Sequence, residues 1–170
     1  MPTSTHSIEL LAKHHDRTNF QCGSETLDRY LQQQARQDAE KHVAAPFVMT
    51  APPDPTVLGY YTLSASVISA GDISPELAKK LPRYPQLPVT LIGRLAVDTR
   101  RKGQGKGAFL LMDALRRSLA HATDIAAMAV VVDAKDEAAA AFYQHFDFTP
   151  LESNGRRLYL PMKTVADVLG

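Results

Sequence analysis

The sequence predicts an α+β fold of the α/β-layered kind, in which helices cover a mixed β-sheet. The second half of the chain runs strand, loop, helix, strand, helix, strand. Within it, Ala126–Val132 is a continuous apolar run, as is typical of a strand covered on both faces. The early strands are joined by short turn-rich segments, which place neighbouring strands antiparallel. We expect one domain over residues 1–170, because a chain of this length suits a single core.

Caps, spacing and turns predict the elements of the first half. Ser24 is a typical helix N-cap, and the apolar residues after it recur at helical spacing. The segment Ala51–Pro55 contains three prolines and predicts a turn between two strands. In order, we expect a strand over Thr5–Ala12, a helix from Ser24 to about Lys41, strands over Phe47–Met49 and Val57–Ser69, and a short helix over Ser74–Leu81.

The second half has longer and clearer patterns. A strand is followed by a glycine-rich loop, and the loop opens an amphipathic helix. The expected elements are a strand over Val89–Val97, a helix from about Gly105 to His121, a strand over Ala126–Val132, a helix over Asp136–His145 and a closing strand over Arg157–Met162.

The composition argues against several classes of protein. The net charge is only +1, which disfavours general coating of nucleic acids. The longest nearly uncharged stretch, Val43–Gly71, is interrupted by Asp54 and prolines and does not suit a membrane span. The first fifteen residues lack the apolar core of a secretion signal. Cys22 is the single cysteine, which excludes an internal disulfide and fits a reducing, cytoplasmic setting.

The histidines are the candidate metal ligands of the sequence, and the lysines and arginines are the candidate phosphate ligands. The six histidines show no metal-ligand spacing, and we expect no bound metal. Basic residues cluster around the glycine-rich loop, where they form either a phosphate-binding face or an ordinary solvated surface. The cluster comprises Arg94, Arg100, Arg101, Lys102 and Lys106.

The loop Lys102–Gly107, with glycine at positions 103, 105 and 107, suits a phosphate group. Glycines let the backbone approach a ligand closely, and the following helix start offers unpaired N–H groups with partial positive charge. A Walker loop does not fit, because Gly107 stands where Ser or Thr is needed. A Rossmann loop, with Asp133 as the ribose acceptor, fits less well, since five residues separate the strand from the glycines.

The arrangement Lys102-x-x-Gly105-x-Gly107 after a strand resembles the pyrophosphate loop of the GNAT acetyltransferases, although that family usually has Gln or Arg where Lys102 stands. The shifted frame Arg100-x-x-Gly103-x-Gly105 also fits. The resemblance implies a mostly antiparallel twisted sheet with a splayed central pair of strands, helices on both faces, and acetyl-CoA as co-substrate. The residues expected to bind acetyl-CoA are Leu95, Ala96, Val97, Arg101, Lys102, Gly103, Gln104, Gly105, Lys106, Gly107, Asp133 and Phe142.

The segment Ala138–Phe148 resembles the family's helix-then-strand motif, which usually has Gly where Asp147 stands. Phe142 and Phe146 lie four residues apart and are expected in the core. Tyr143 lies off that face and is the expected catalytic acid, since a tyrosine with a pKa near 10 can protonate a departing thiolate.

The sequence offers no obvious general base, and Asp98 and Asp133 are candidates by position only. A lysine amine, with a pKa of about 10.4, needs a base at neutral pH, whereas an α-amino group, with a pKa of about 8, is already partly deprotonated. The acceptor is therefore expected to be an α-amine.

Several segments together resemble the toxin branch of the family typified by TacT and AtaT. They are 20–31, 59–64, 91–98, 110–115, 131–134 and 159–163. The resemblance implies acetylation of the α-amino group of aminoacyl-tRNA, which blocks translation, and neutralisation by a ribbon-helix-helix antitoxin; a homodimer is plausible on the same ground. Arg94 and Arg100, with the rest of the run Arg100–Lys102, are the candidates for contact with tRNA phosphates or, alternatively, with the phosphates of CoA. The alternatives are acetylation of a small amine or a protein N-terminus, and a non-catalytic CoA-binding or antitoxin-docking module.

Overall fold

The computed structural model describes residues 5–170. Residues 1–4, part of the segment expected to lack a secretion signal, lie outside the described residues. The strands are β1 (Ser7–Leu10), β2 (Ala45–Ala51), β3 (Asp54–Ser69), β4 (Gln86–Val97), β5 (Ala129–Asp133), β6 (Thr149–Leu151) and β7 (Asn154–Pro161). The α-helices are α1 (Glu25–Arg29), α2 (Ala35–Glu40), α3 (Pro75–Lys79), α4 (Lys106–His121), α5 (Glu137–His145) and α6 (Met162–Leu169).

The seven strands form a mixed sheet in the order β1-β2-β3-β4-β5-β7-β6. Among the described residues, the registered pairs of named strands are antiparallel except for β4 with β5. The registered pairs of β4 and β5 run from Thr90 with Val130 to Ile92 with Val132, while β4 itself continues to Val97. The predicted mixed, mostly antiparallel sheet is confirmed.

The structure divides into two compact units, each with its own core. The first contains the described residues up to Ser64 together with Gly93–Ala114, and the second contains Ala65–Ile92 with Leu115–Gly170. The core of the first unit includes Leu11, Phe20, Cys22, Tyr30, Leu31, Ala35, Val48, Val57, Tyr60 and Ala96. The core of the second includes Ile68, Ile73, Leu87, Val89, Ala129, Val131, Leu151 and Tyr159. A single domain over residues 1–170 stays a prediction.

The predicted first helix is present but interrupted. A π-helical turn over Tyr30–Gln34 separates α1 from α2. Side chains from outside the helix donate to two carbonyl oxygens around this turn, Tyr60 Oη to Leu27 O at 2.7 Å and Arg17 Nη1 to Leu31 O at 2.9 Å. Because both donors come from outside the helix, they tie the segment around the π-turn into the packing of the first unit. The apolar spacing alone does not indicate it.

The last part of the chain differs from the prediction in three places. β5 begins at Ala129, because residues 122–126 form a turn after α4 although they are mostly apolar. β7 ends at Pro161, and the predicted strand end Met162 instead begins α6, which buries Val165. The three-residue strand β6 was not predicted, since Pro150 sits within it and β6 pairs along one side only, with β7.

The backbone conformation of Asp147 explains why aspartate can stand where the family motif usually has glycine. It has a φ angle of +72°, in the left-handed region, directly after the end of α5. Glycine is the usual residue for this position because it has no Cβ, and Asp is among the few side chains that tolerate it. The turn returns the chain so that the N–H groups of Phe146 and Phe148 both donate to the Tyr143 carbonyl, at 2.9 and 3.2 Å.

Candidate active site

In the first unit, the glycine-rich loop has the geometry that phosphate binding requires. Gly103 and Gly105 have φ angles of +77° and +72°, which side chains with a Cβ rarely adopt. A Cβ placed on either glycine would meet nothing within 4 Å, so the backbone faces open space. The Phe109 N–H donates to the Gly105 carbonyl at 3.1 Å, which begins the hydrogen bonding of α4. The preceding amides at the helix start are thus directed at the loop.

The same geometry bears on the two possible frames of the motif. Gly107 lies inside α4, one residue after the helix begins at Lys106. The frame Lys102-x-x-Gly105-x-Gly107 puts its two glycines on either side of the helix start. This placement favours that frame over the one shifted back by two residues, because the unpaired amides lie at the helix start.

The loop is anchored by Asp98, which is buried at the end of β4. Its carboxylate accepts hydrogen bonds from the Arg100 backbone N–H at 2.9 Å, from Arg100 Nε and Nη2 at 2.8 and 2.9 Å, and from the Gln21 N–H at 3.2 Å. The Thr99 N–H also donates to the Gln21 carbonyl at 2.8 Å. These bonds tie the start of the loop to the segment before α1.

These hydrogen bonds bear on the roles that the sequence suggested for Asp98 as a general base and for Arg100 as a tRNA contact. Burial opposes ionisation of Asp98, but hydrogen bonds from the Arg100 side chain and backbone and from Gln21 outweigh it and lower the pKa of the carboxyl. A carboxylate with a lowered pKa is a weak base, and donors occupy both oxygens of Asp98, so its geometry disfavours a role as general base. Arg100 places the Nε–Nη2 edge of its guanidinium on Asp98, so this edge is not available to a tRNA phosphate, and a contact through Nη1 stays a prediction.

Replacing Asp98 with alanine should lower the free energy of unfolding by about 2–4 kcal/mol, since several donors lose their acceptor. The Michaelis constant for acetyl-CoA should also rise, because the loop loses its anchor. Stability conferred by Asp98 is full above its ordinary pKa near 4 and is lost as pH falls through the lowered folded pKa. Urea unfolding of wild type and variant at pH 7 and pH 3 measures this difference, which should shrink at the lower pH.

Asp54 supplies a matched control for this change. Its exposed carboxylate accepts one local N–H bond, from Thr56 at 2.9 Å. Asp54→Ala should change stability by less than about 1 kcal/mol. Equal losses from the two substitutions would show that Asp98 is no special anchor.

The remaining charged and polar side chains of the loop lie at its surface. Lys102 and Gln104 are exposed, and Arg101 and Lys106 are half-buried. Lys106 Nζ lies 3.3 Å from His6 Nδ1 and 5.8 Å from the centroid of the Phe109 ring. Lysine and arginine groups around an open, amide-lined turn favour an anionic ligand.

The segment Leu95–Val97 of β4 lies beyond the last registered pair of β4 with β5. Ala96 is buried in the core of the first unit, whereas Leu95 and Val97 are half-buried. Alternation along the strand puts Arg94 on the same face as Ala96. The backbone of this segment is therefore suited to pair with a ligand, as the resemblance implied, and that role stays a prediction.

In the second unit, Tyr143 is buried at 4% exposure. Its ring makes edge contacts with Phe142 and Phe148, with centroids 5.3 and 5.6 Å away. Phe142 and Phe146 are only half-buried, so the expectation that they form the core face was wrong. In α5, Tyr143 is buried and the two phenylalanines are not. Their four-residue spacing indicates that they lie on one face of the helix, but not whether the sheet covers that face.

The Tyr143 hydroxyl makes no hydrogen bond to any of the residues that the structure describes. Buried tyrosines usually find a partner for this group. Burial, and to a lesser extent the negative charge of Asp133, raise the pKa of Tyr143 above its ordinary value near 10. The side chain therefore carries its proton at neutral pH and has it available for a ligand.

Asp133, at the end of β5, pairs with Arg157 on β7. Arg157 Nε and Nη2 donate to its two carboxylate oxygens at 2.7 and 3.1 Å. The sequence showed Arg157 only as one of a basic pair, and its partner is set by the register of β5 with β7. A contact of Asp133 with acetyl-CoA stays a prediction.

One cluster contradicts the sequence view that the histidines lack metal-ligand spacing. Ligand atoms of Glu9, His14 and His15 lie within 4.8 Å of one another. However, His15 Nδ1 accepts the Ala12 N–H at 2.9 Å, so the ring proton belongs on Nε2, which lies 2.8 Å from Glu9 Oε1. A nitrogen that carries a proton cannot coordinate a metal. The arrangement therefore favours a hydrogen-bonded cluster.

Among residues 5–170, no helix is both long and apolar enough to cross a membrane.

Residues 88–164 match the family model described as an acetyltransferase (GNAT) domain. A tRNA-acetylating toxin of Mycobacterium tuberculosis is 34% identical over 155 residues, which is 91% of each chain. The solved structure of AtaT complexed with acetyl-methionyl-tRNAfMet has a TM-score of 0.91 and 29% identity, and covers 98% of this chain and all of that one.

A second AtaT structure is that of a mutant toxin with one tyrosine changed to phenylalanine, bound to the C-terminus of the antitoxin AtaR and to acetyl-CoA. It has a TM-score of 0.81 and 26% identity, and covers 96% of this chain and 97% of that one. The glycine-rich loop and the buried tyrosine are thus found in a chain that matches these proteins along nearly its whole length. The chain belongs to the GNAT acetyltransferases, in their TacT- and AtaT-like toxin branch, and is an acetyl-CoA-dependent N-acetyltransferase.

Proposed function

We propose that this chain acetylates the α-amino group of aminoacyl-tRNA and thereby blocks translation. The observation that carries the proposal is the 34% identity, over 91% of both chains, to a protein named as a tRNA-acetylating toxin. The AtaT complex with acetyl-methionyl-tRNAfMet supports the same substrate class, because an acetylated methionyl ester is the product of this reaction.

In this proposal the glycine-rich loop and the end of β4 hold the acyl donor. The open turn at Gly103 and Gly105 and the amides that begin α4 fit the pyrophosphate of acetyl-CoA, which needs donors and positive charge. Arg101, Lys102 and Lys106 add charge around it, and Gln104 adds a polar side chain. The backbone of Leu95–Val97 pairs with the pantetheine arm.

Tyr143 supplies the proton. Acetyl-CoA, when bound, supplies the activated acetyl group. The Tyr143 hydroxyl donates its proton to the departing sulfur, and its raised pKa keeps it protonated between turnovers. Phe142 and Phe148 surround the ring and help to exclude water from it.

The acceptor amine needs little help from the protein. An α-amino group with a pKa of about 8 is partly neutral at pH 7, and neutral amines are the nucleophiles. The only base candidates that the sequence offered were Asp98 and Asp133. Asp98 is committed to the loop, and Asp133 is paired with Arg157. An acceptor amine that loses its proton readily needs neither carboxylate as a base, and this agrees with the pairing of both Asp98 and Asp133.

The partners follow from the same relatives. The AtaT structure with the C-terminus of its antitoxin supports an antitoxin for this chain, and we infer that it has a ribbon-helix-helix domain. We further infer a homodimer, a cytoplasmic location and a single domain over residues 1–170.

An assay with labelled acetyl-CoA tests the function. Charged tRNA, the same tRNA after deacylation, a small primary amine and a peptide with a free N-terminus are offered in parallel. We expect label on charged tRNA only, and its loss when the ester is cleaved by mild base. Transfer to the small amine or the peptide, with none to charged tRNA, would overturn the proposal.

A further inference from the structure

Arg94, on β4 in the first unit, lies over the face of the Tyr30 ring. Its guanidinium carbon lies 3.5 Å from the centroid of the Tyr30 ring. A planar, delocalised cation at this distance gains both cation–π and stacking energy. The contact fixes the plane of a guanidinium group that would otherwise sample many rotamers.

Tyr30 is itself held by a chain of hydrogen bonds. It stands at the first position of the π-helical turn and is 8% exposed. Its hydroxyl donates to Asp38 Oδ2 at 2.7 Å, and Gln34 Nε2 donates to the other oxygen of Asp38 at 2.9 Å. The Tyr60 ring lies nearly parallel to it, with centroids 6.2 Å apart and an angle of 15°. The surface under Arg94 is thus rigid.

The side-chain donors of Arg94 differ from those of Arg100 and Arg157. Arg100 and Arg157 each place their guanidinium groups on a carboxylate. For Arg94, the part of the chain that the structure describes supplies the ring contact and the nearby negative charge of Asp38, but no side-chain hydrogen bond and no ion pair in direct contact. A half-buried guanidinium with a fixed plane and unfilled N–H groups matches the oxygens of a phosphate ester.

The position of Arg94 favours one of two phosphate sources. It directly precedes Leu95–Val97, so its Cα lies about 3.8 Å from that of the first residue proposed to pair with pantetheine. Its side chain leaves the strand on the face of Ala96 and packs on Tyr30 of the core of the first unit, whereas the pyrophosphate loop comes after the end of β4. A phosphate here lies near the reacting end of the donor and not at its pyrophosphate.

We propose that Arg94 binds a phosphodiester close to the aminoacylated 3′ end of the tRNA, and that Tyr30 and Asp38 are positioning residues that set the plane of its guanidinium. This inference rests on the proposed function. It separates the basic residues into two groups: Arg101, Lys102 and Lys106 serve the donor, and Arg94 serves the acceptor.

Steady-state kinetics of Arg94→Gln test the proposal, with charged tRNA and acetyl-CoA varied separately. We expect the KM for charged tRNA to rise about ten- to a hundredfold, as for loss of a charge-assisted hydrogen bond, with the KM for acetyl-CoA unchanged. The slope of log affinity for tRNA against log salt should fall by about 0.7, the value for one single-strand phosphate contact. A purely structural role would not change this slope.

Variants of Tyr30 test the positioning role. Tyr30→Leu should raise the KM for charged tRNA several-fold and leave kcat and acetyl-CoA binding within about twofold. Tyr30→Phe retains the ring face but loses the hydrogen bond to Asp38, and should give a KM for charged tRNA between those of wild type and Tyr30→Leu. Arg36→Gln is the matched control, because Arg36 is already ion-paired with Glu40 at 3.2 Å and should leave the kinetics unchanged. Thermal unfolding of each variant identifies any that do not fold. If Tyr30→Leu does not fold, Arg94→Gln still tests the proposal, because Arg94 is partly exposed and its replacement should leave the chain folded.

The outcomes separate the inference from the function. If the wild-type chain does not acetylate charged tRNA, the proposed function is wrong and the inference falls with it. If wild type acetylates charged tRNA and Arg94→Gln keeps its KM and salt slope, only the inference is wrong. A rise in the KM for acetyl-CoA alone would assign the phosphate to the donor and overturn the inference.

Discussion

Replacing Tyr143 with phenylalanine is expected to lower kcat for acetyl transfer by about 10²–10⁴-fold, the usual contribution of a general acid. The substitution removes one oxygen and leaves the ring contacts with Phe142 and Phe148. The hydroxyl has no hydrogen-bond partner among the described residues, so its removal should not destabilise the fold. The dissociation constant of acetyl-CoA, measured by calorimetry, should stay within about twofold.

Tyr159 provides the control for that experiment. It is also buried in the second unit, but its hydroxyl accepts the Ser74 N–H at 3.2 Å. Tyr159→Phe should cost about 1 kcal/mol of stability and leave kcat unchanged. A Tyr143→Phe variant that turns over at the wild-type rate would remove Tyr143 from the mechanism.

The pH dependence of the wild-type rate carries a second test of the same assignment. The pKa of Tyr143 is raised by burial, so the acid stays protonated and the rate should not fall as pH rises toward 10. An α-amine acceptor loses its proton near pH 8, so the rate should increase up to that pH and then level off. A falling limb that begins below pH 9 would indicate a different acid.

Replacing Gly105 with valine should raise the dissociation constant of acetyl-CoA by at least about a hundredfold. At a φ of +72°, a β-branched residue is strained by about 1–2 kcal/mol, and it puts methyl groups into the space that the phosphates need. The loop must either shift its amides or exclude the ligand. Calorimetric titration with CoA measures the loss, and thermal unfolding shows that the chain is still folded.

Gly155, at the start of β7, is the matched glycine. A Cβ there also meets nothing within 4 Å, but its φ angle is not in the left-handed region. Gly155→Val should leave CoA binding unchanged. If Gly105→Val binds CoA as tightly as this control does, the loop is not the pyrophosphate site.

Much of the second half of the fold could be predicted because its signals are local. The three glycines, the apolar strand before them and the helix after them lie within one continuous stretch, and the helix begins at Lys106, one residue from its predicted start. Ser24 caps its helix as expected, with a side chain that accepts the Leu27 N–H group, and Ser74 caps α3 in the same way through the Leu77 N–H group. Capping and left-handed turns depend on residues a few positions apart, so the chain itself carries the information.

The sequence by itself determined the kind of loop and pointed to Tyr143, since both follow from local spacing and a family motif. Only the tertiary structure decided how the charges around the loop are used. Arg100 pairs with a carboxylate two residues away, whereas Arg94 stacks on Tyr30, 64 positions earlier in the chain. A contact between residues so far apart in the chain depends on strand register and on the π-turn, and neither of these can be predicted from the charge of a side chain. The tertiary structure also buried Tyr143 and gave its hydroxyl no hydrogen-bond partner within residues 5–170, because the sheet selects which face of a helix it covers.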